Sequence, residues 1–119
     1  MRIVVLRASN KPHRYSYQTV MLLKEKGYEV FPVHERLKEI NGITVYPSIK
    51  HIKCSIDTIT MYVSKKNSDL LSDDIIACKP KRIIFNPGAE NKDLEKKAQE
   101  QCIKTINACT LVLLKTGQF

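Results

Sequence analysis

Apolar positions along the chain gather into four short runs rich in β-branched and aromatic residues: RIVVL (Arg2–Leu6), YEVFPV (Tyr28–Val33), DTITMYV (Asp57–Val63) and KRIIFN (Lys81–Asn86). Runs of this length and composition predict strands. A weaker fifth begins near Lys104 in KTINACTLVLL. Between the runs the apolar spacing turns helical. Residues Ser16 to Lys26 stop at Gly27, which suits a C-terminal cap, and Ser68 to Lys79 puts Leu71, Ile75 and Cys78 on one face before Pro80 ends the pattern. A third helix, Lys92 to Gln101, follows Asn91 as its N-cap and turns Leu94 and Ala98 inward. Cys102 stands where a helix-ending glycine would be expected. The predicted order is β-α-β, an irregular crossover over residues 34–56, then β-α-β-α-β. The crossover holds the turn-like ING and YPS and a short helix from Ser48 to Ile52. Strands alternating with such helices pair in parallel through right-handed crossovers. The fold class is therefore α/β, a three-layer sandwich around a parallel sheet of about five strands, in one domain over residues 1–119.

The 119 residues suffice for one core, and 43% hydrophobic with 27% charged residues is the balance of an ordinary globular protein. No apolar run approaches the roughly 20 residues of a membrane span. The apolar stretch of MRIVVLRASN is too short for a signal-peptide core, and no small-residue cleavage site follows. It reads as the first strand of a cytoplasmic protein. Cys54, Cys78, Cys102 and Cys109 form no CxxC pair and have no histidine at metal-ligand spacing, so they are read as free thiols and no metal site is expected. The formal net charge of +8 favours an anionic partner. Nucleic acid is not expected, because the cations are scattered and accompany no nucleic-acid motif.

In open parallel sheets ligands sit at the carboxyl ends of the strands, where the strand order reverses. Four loops lie there: RASNKPHR (Arg7–Arg14), HERLK (His34–Lys38), SKKN (Ser64–Asn67) and NPGAEN (Asn86–Asn91). The first leads into a helix whose unpaired N–H groups and positive dipole end would stabilise a phosphate, with Ser9 and Asn10 as added donors. The G-x-G-x-x-G fingerprint is missing, which argues against a standard NAD fold. Arg36 and Lys38 suit an extra phosphate better than a bare ribose.

These segments resemble the small stand-alone CoA-binding proteins, a Rossmann-like family related to the CoA-binding domain of the succinyl-CoA synthetase α subunit. The family pattern runs G-A-S-x-x-P-x-x-Y-G-Y, then G-Y-x-V-x-P-V-N-P. The chain matches with Ala8, Ser9, Pro12, Tyr15 and Tyr17, then with Gly27, Tyr28, Val30, Pro32 and Val33. VYPSI, DTITMYVS, NPGAEN and ACTLV are similar to later family segments, so the resemblance covers nearly the whole chain. It implies a small-molecule ligand, CoA or acyl-CoA, with the diphosphate over the first loop and the adenosine 3′-phosphate end toward the loop after the second strand. Ser9 and Asn10 would then touch phosphate, Arg36 or Lys38 the adenosine end, and Tyr62, Val63 and Ser64 the crevice wall. Arg7, Ala8, Arg14, Tyr15, Val33, His34 and Gly88 complete the candidate binding set. Tyr15, Tyr17 and Tyr28 are read as packing residues rather than stacking platforms.

The departures from the family pattern fall on the ligand loops. Arg7 replaces the first glycine, Ser16 the glycine between the tyrosines, and His34 with Glu35 the Asn-Pro pair. A backbone angle suited only to glycine would cost about 1 kcal/mol or more at Arg7 or Ser16. Arg7 could block the pyrophosphate, could bind it directly, or could be a solvated strand end. His34 lacks an acid-base partner in sequence, His13 and His51 read as surface residues, and Cys109 reads as buried. No catalytic residue is assigned. The expected role is a binding module without chemistry of its own; the alternative is a degenerate Rossmann domain that has lost its ligand and acts through protein contacts. A protein partner or homo-oligomer stays open under either.

Overall fold

A computed structural model describes all 119 residues, Met1 to Phe119. The elements in chain order are β1 (Arg2–Leu6), α1 (Tyr15–Glu25), β2 (Glu29–Val33), β3 (Glu39–Ile40), β4 (Ile43–Thr44), a single 3-10 turn (Ile49–His51), β5 (Thr58–Met61), α2 (Lys65–Ala77), β6 (Arg82–Phe85), α3 (Lys92–Glu100), β7 (Lys104–Asn107) and α4 (Thr110–Lys115). Five strands form one parallel sheet in the order β2-β1-β5-β6-β7. No helix is long and apolar enough to cross a membrane.

Because both sheet faces are covered, alternate residues of each strand serve opposite cores. Val4, Leu6, Ile59, Met61, Ile83 and Phe85 pack against Ile75, Leu94 and Ala98, residues of α2 and α3. Ile3 and Val5 pack against Val20 and Leu23 of α1 and Leu114 of α4. The expected three-layer α/β sandwich is thus observed. Pro32, which has no N–H to donate, sits on edge strand β2, and its carbonyl accepts from Tyr46 N at 2.9 Å. His34 N donates to Tyr46 O at 3.0 Å, so a parallel bridge between Val33 and Tyr46 shields that edge.

Five expectations are corrected. The apolar run TLVLL is helix α4 rather than the continuation of a fifth strand, which ends at Asn107. The chain leaves the sheet there because Thr110 N donates to the buried Asn86 Oδ1 at 2.8 Å, opening a new helix with Cys109 at its N-cap. Cys109 is accordingly half-buried at a helix start, where the sequence placed none. The crossover includes a small antiparallel hairpin, β3 with β4, turned by Asn41 and Gly42, both at positive φ (47° and 83°). Helix α2 begins at Lys65, three residues earlier than its apolar face indicates. Tyr15 is 66% exposed and packs on nothing in the core, whereas Tyr28 stacks edge-on with Phe119 at 5.4 Å.

Left-handed backbone appears where glycine was expected. Cys102, after α3, has φ 61°, and Arg7, at the family's glycine, has φ 72°. Ser16 does not share that strain: it is a buried residue in the first turn of α1.

Candidate functional site

The strand order reverses between β1 and β5, whose chain ends are joined by Tyr62 N donating to Leu6 O at 3.1 Å. Two cavities flank this point. The larger, a cleft of about 800 Å³, lies over the amino end of α1 and is lined by Arg7 through Lys11, by His13 to Ser16, and by His34, Arg36, Leu37 and Tyr62. The smaller, an apolar slot of about 220 Å³, lies between the ends of β1 and β2, the Pro47–Ile49 segment and α2. Only Arg7 and His34 line both.

The cleft wall begins with a pinned turn. Arg7 N and Ala8 N both donate to Val33 O at 3.0 Å, which ties the end of β1 to the end of β2. Ser9 Oγ accepts from Lys11 N at 3.1 Å, and Arg14 N donates to Lys11 O at 3.0 Å, so two successive turns precede the helix. Neither Ser9 nor Asn10 caps α1; Arg14 holds the N-cap position and gives no side-chain hydrogen bond. The first turn of α1 also contains no acid. Helix α3 shows the alternative: Asn91 Oδ1 accepts from Leu94 N at 3.1 Å, and Asp93 and Glu95 occupy the first turn. The leading amides of α1 and their dipole are therefore left for an external acceptor.

Charge follows the same sense. Arg7, Lys11, Arg14 and Arg36 line the cleft, and no carboxylate does. Glu35 stands beside it, on the slot side, where Arg7 Nη1 donates to its two oxygens at 2.6 and 2.9 Å. The backbone and then this guanidinium hold the Glu35 carboxyl below its usual range.

His34 is fastened in the wall. Its Nδ1 accepts from Arg36 N at 3.1 Å and Leu37 N at 3.3 Å, which assigns the ring proton to Nε2. In this way imidazole does what the oxygen of an asparagine would do in an Asx turn, explaining how histidine replaces the family's Asn. Partial burial lowers its pKa, opposed by Glu35 and assisted by Arg7 and Arg36. The folded protein therefore takes up this proton less readily than the unfolded chain. The contribution is present in full above about pH 6.5, the ordinary histidine value, and is lost as pH falls through the lower folded value. Urea titrations at pH 7.5 and 5.5 should show a larger acid loss of stability in the native chain than in His34→Asn, which keeps an acceptor that does not titrate. Equal losses would remove His34 as the titrating group.

Tyr62 forms the cleft floor. Burial pushes its phenol pKa up, and its hydroxyl shares a hydrogen bond with Thr19 Oγ1, so it stays neutral. Beneath it Asn86 donates to Thr60 Oγ1 at 2.7 Å and to Met61 O at 2.9 Å, while the Thr60 and Thr110 hydroxyls meet at 2.7 Å. No group of three or more His, Cys, Asp or Glu side chains stands ready for a metal.

Of the residues singled out in sequence, Arg7, Ala8, Ser9, Asn10, Arg14, Tyr15, His34, Arg36 and Tyr62 come together in the cleft. Val33 and Val63 line the slot. Lys38, Ser64 and Gly88 line neither; Lys38 is exposed beyond the His34 turn, Ser64 is the N-cap of α2, and Gly88 sits in a turn closed by its N–H to Glu90 Oε1 at 2.9 Å. Sequence reasoning missed Lys11, His13 and Leu37 in the cleft and, in the slot, Pro47, Ser48 and Ile49 with Asn67, Leu70, Leu71 and Asp74 of α2. Lys11, one residue before the motif's Pro12, was within reach of the loop reading; the slot residues depend on how α2 packs.

Comparison with known proteins agrees with this architecture. The family model of the CoA binding domain matches residues 1–115. The α subunit of acetate–CoA ligase [ADP-forming] II from Pyrococcus furiosus is 34% identical over 82 residues, 68% of this chain but only 17% of that subunit. The protein YneT of Bacillus subtilis is 23% identical over 92% of this chain and 87% of its own. A crystal structure of an uncharacterized protein superposes with a TM-score of 0.88 at 36% identity, covering 99% of this chain and 97% of the other. From its first strand through its last helix, this chain belongs to the CoA-binding domain family.

Proposed function

We propose that the cleft binds CoA or acyl-CoA and that the chain acts as a binding module without chemistry of its own. The observation that carries this reading is the cleft over α1: four cations, no lining carboxylate and an uncapped helix amino end at the point of strand reversal. A diphosphate is doubly anionic and needs such donors; charge-assisted hydrogen bonds to it are the strong ones. The diphosphate lies over Ser9, Asn10 and the first turn of α1, within reach of Lys11 and Arg14. The 3′-phosphate end points to Arg36, with Lys38 just beyond. The slot walls, among them Val33, Ile49, Val63 and Leu71, supply the apolar faces that an adenine ring requires.

The absence of catalysis from this reading rests on what the cleft residues already do. His34 Nδ1 is committed to two amides, Tyr62 is neutral, and no cysteine lines the cleft. A ligase partner that brings its own catalytic segments is compatible with this role. The four free cysteines fit a reducing, cytoplasmic setting. The alternative, a domain that has lost its ligand and works through protein contacts, draws on the Arg7 side chain at a glycine position.

Thermal unfolding separates the two. CoA at a hundredfold excess over its dissociation constant should add about 2.7 kcal/mol to stability. Dephospho-CoA at the same concentration should add clearly less if Arg36 reads the 3′-phosphate. No shift with CoA or acetyl-CoA would favour the ligand-free alternative.

A further inference from the structure

The Arg7–Glu35 pair has a position that its strength does not explain. Both side chains are half-exposed or more, 46% and 63%, and an ion pair so placed contributes little to stability. Yet Arg7 occupies a left-handed backbone position at φ 72°, a conformation that disfavours any side chain. Its amide and that of Ala8 are pinned to Val33 O, so the backbone is held while the guanidinium is free to turn. Among the cations, Arg7 alone borders both the apolar slot and the basic cleft. Any extended ligand that fills both must pass it.

We propose that Glu35 is a built-in competitor for Arg7, a latch across the ligand path that the incoming diphosphate displaces. The inference rests on the binding role proposed above and adds how that site is gated. In the free protein one Nη of Arg7 holds both Glu35 oxygens. A diphosphate presents the same oxygen geometry with more charge, and a carboxylate kept on the same guanidinium would repel it. Because the existing pair is exposed, exchanging one anion for the other costs little. Glu35 then swings toward solvent from its exposed turn, and Arg7 becomes a phosphate ligand. The latch biases the site modestly against weakly anionic molecules, which compete less well for Arg7, at the very position where the family pattern has no side chain.

A double-mutant cycle read by calorimetric titration with CoA tests this. Glu35→Gln should bind CoA about two- to fivefold tighter than the native chain, the range set by an exposed ion pair. Arg7→Gln should bind more weakly, and adding Glu35→Gln to it should change nothing, because the competitor has lost its object. Arg7→Gly, which suits the left-handed backbone, provides a second background in which the Glu35 effect must vanish. Weaker binding by Glu35→Gln overturns the latch, as does an equal gain with and without Arg7, which would mark plain removal of a negative charge. Native protein that takes up no CoA would instead bring down the binding role itself, and the latch with it.

Discussion

Arg14→Glu combined with Arg36→Glu is expected to weaken CoA binding at least about a hundredfold, some 2.7 kcal/mol, while leaving the fold intact. Both side chains line the cleft and both are exposed. Each would make one charge-assisted hydrogen bond to a phosphate, worth roughly 1.5–3 kcal/mol, so removing both and reversing their sign leaves Arg7, Lys11 and the helix amino end to hold the anion against two new negative charges. Stability should not fall with affinity. Arg14 is the N-cap of α1, where a carboxylate is favoured by the helix dipole over a guanidinium. Titration calorimetry and thermal unfolding on one preparation give the two readouts. Unchanged CoA affinity in the reversed protein would place the ligand outside this cleft. A steep fall of native affinity with added salt should accompany the same mechanism, since these charges are solvent-facing.

Asn86→Ala should destabilise the protein by about 3–4 kcal/mol and lower its melting temperature by roughly 10–20 °C. The residue is 2% exposed and satisfies three buried groups at once: Thr60 Oγ1, Met61 O and Thr110 N. Alanine leaves Thr110 N without a partner in a region water does not reach and leaves Met61 O only the 3.4 Å bond from the backbone amide of residue 86, and that penalty exceeds the net worth of the bonds. The effect reaches the site, because Asn86 holds the start of α4 against the ends of β5 and β6, under Tyr62 in the cleft floor. Differential scanning calorimetry measures it directly. A loss below about 1 kcal/mol would mean that the α4 junction is held by packing alone.

The five strands of the parallel sheet, the three longer helices and the α/β layering were legible because each is written in local periodicity. A strand buried on both faces is a short β-branched run, and a helix is an apolar stripe ended by Gly27, by Lys79 and Pro80, or by a residue forced into the left-handed region at Cys102. Helix α4 was not legible. TLVLL is a short apolar run whose period cannot distinguish a buried strand from a buried helix, and the deciding contact, Asn86 to Thr110 N, spans 24 residues. The loop over α1 was readable as a wall of the cleft from its place after the first strand; that Arg14 holds the N-cap position was not.

Local order along the chain was enough to name the layers, the basic loops and the likeness to a CoA-binding family, since these depend on neighbours a few residues apart. Packing alone made the cleft and the slot: it brought Pro47–Ile49 and α2 to the end of β2, tied His34 into its own turn, and set Arg7 against Glu35 across 28 residues. Such pairings are selected by the summed burial of two cores and by the bridge between Val33 and Tyr46, free energies that no local window contains.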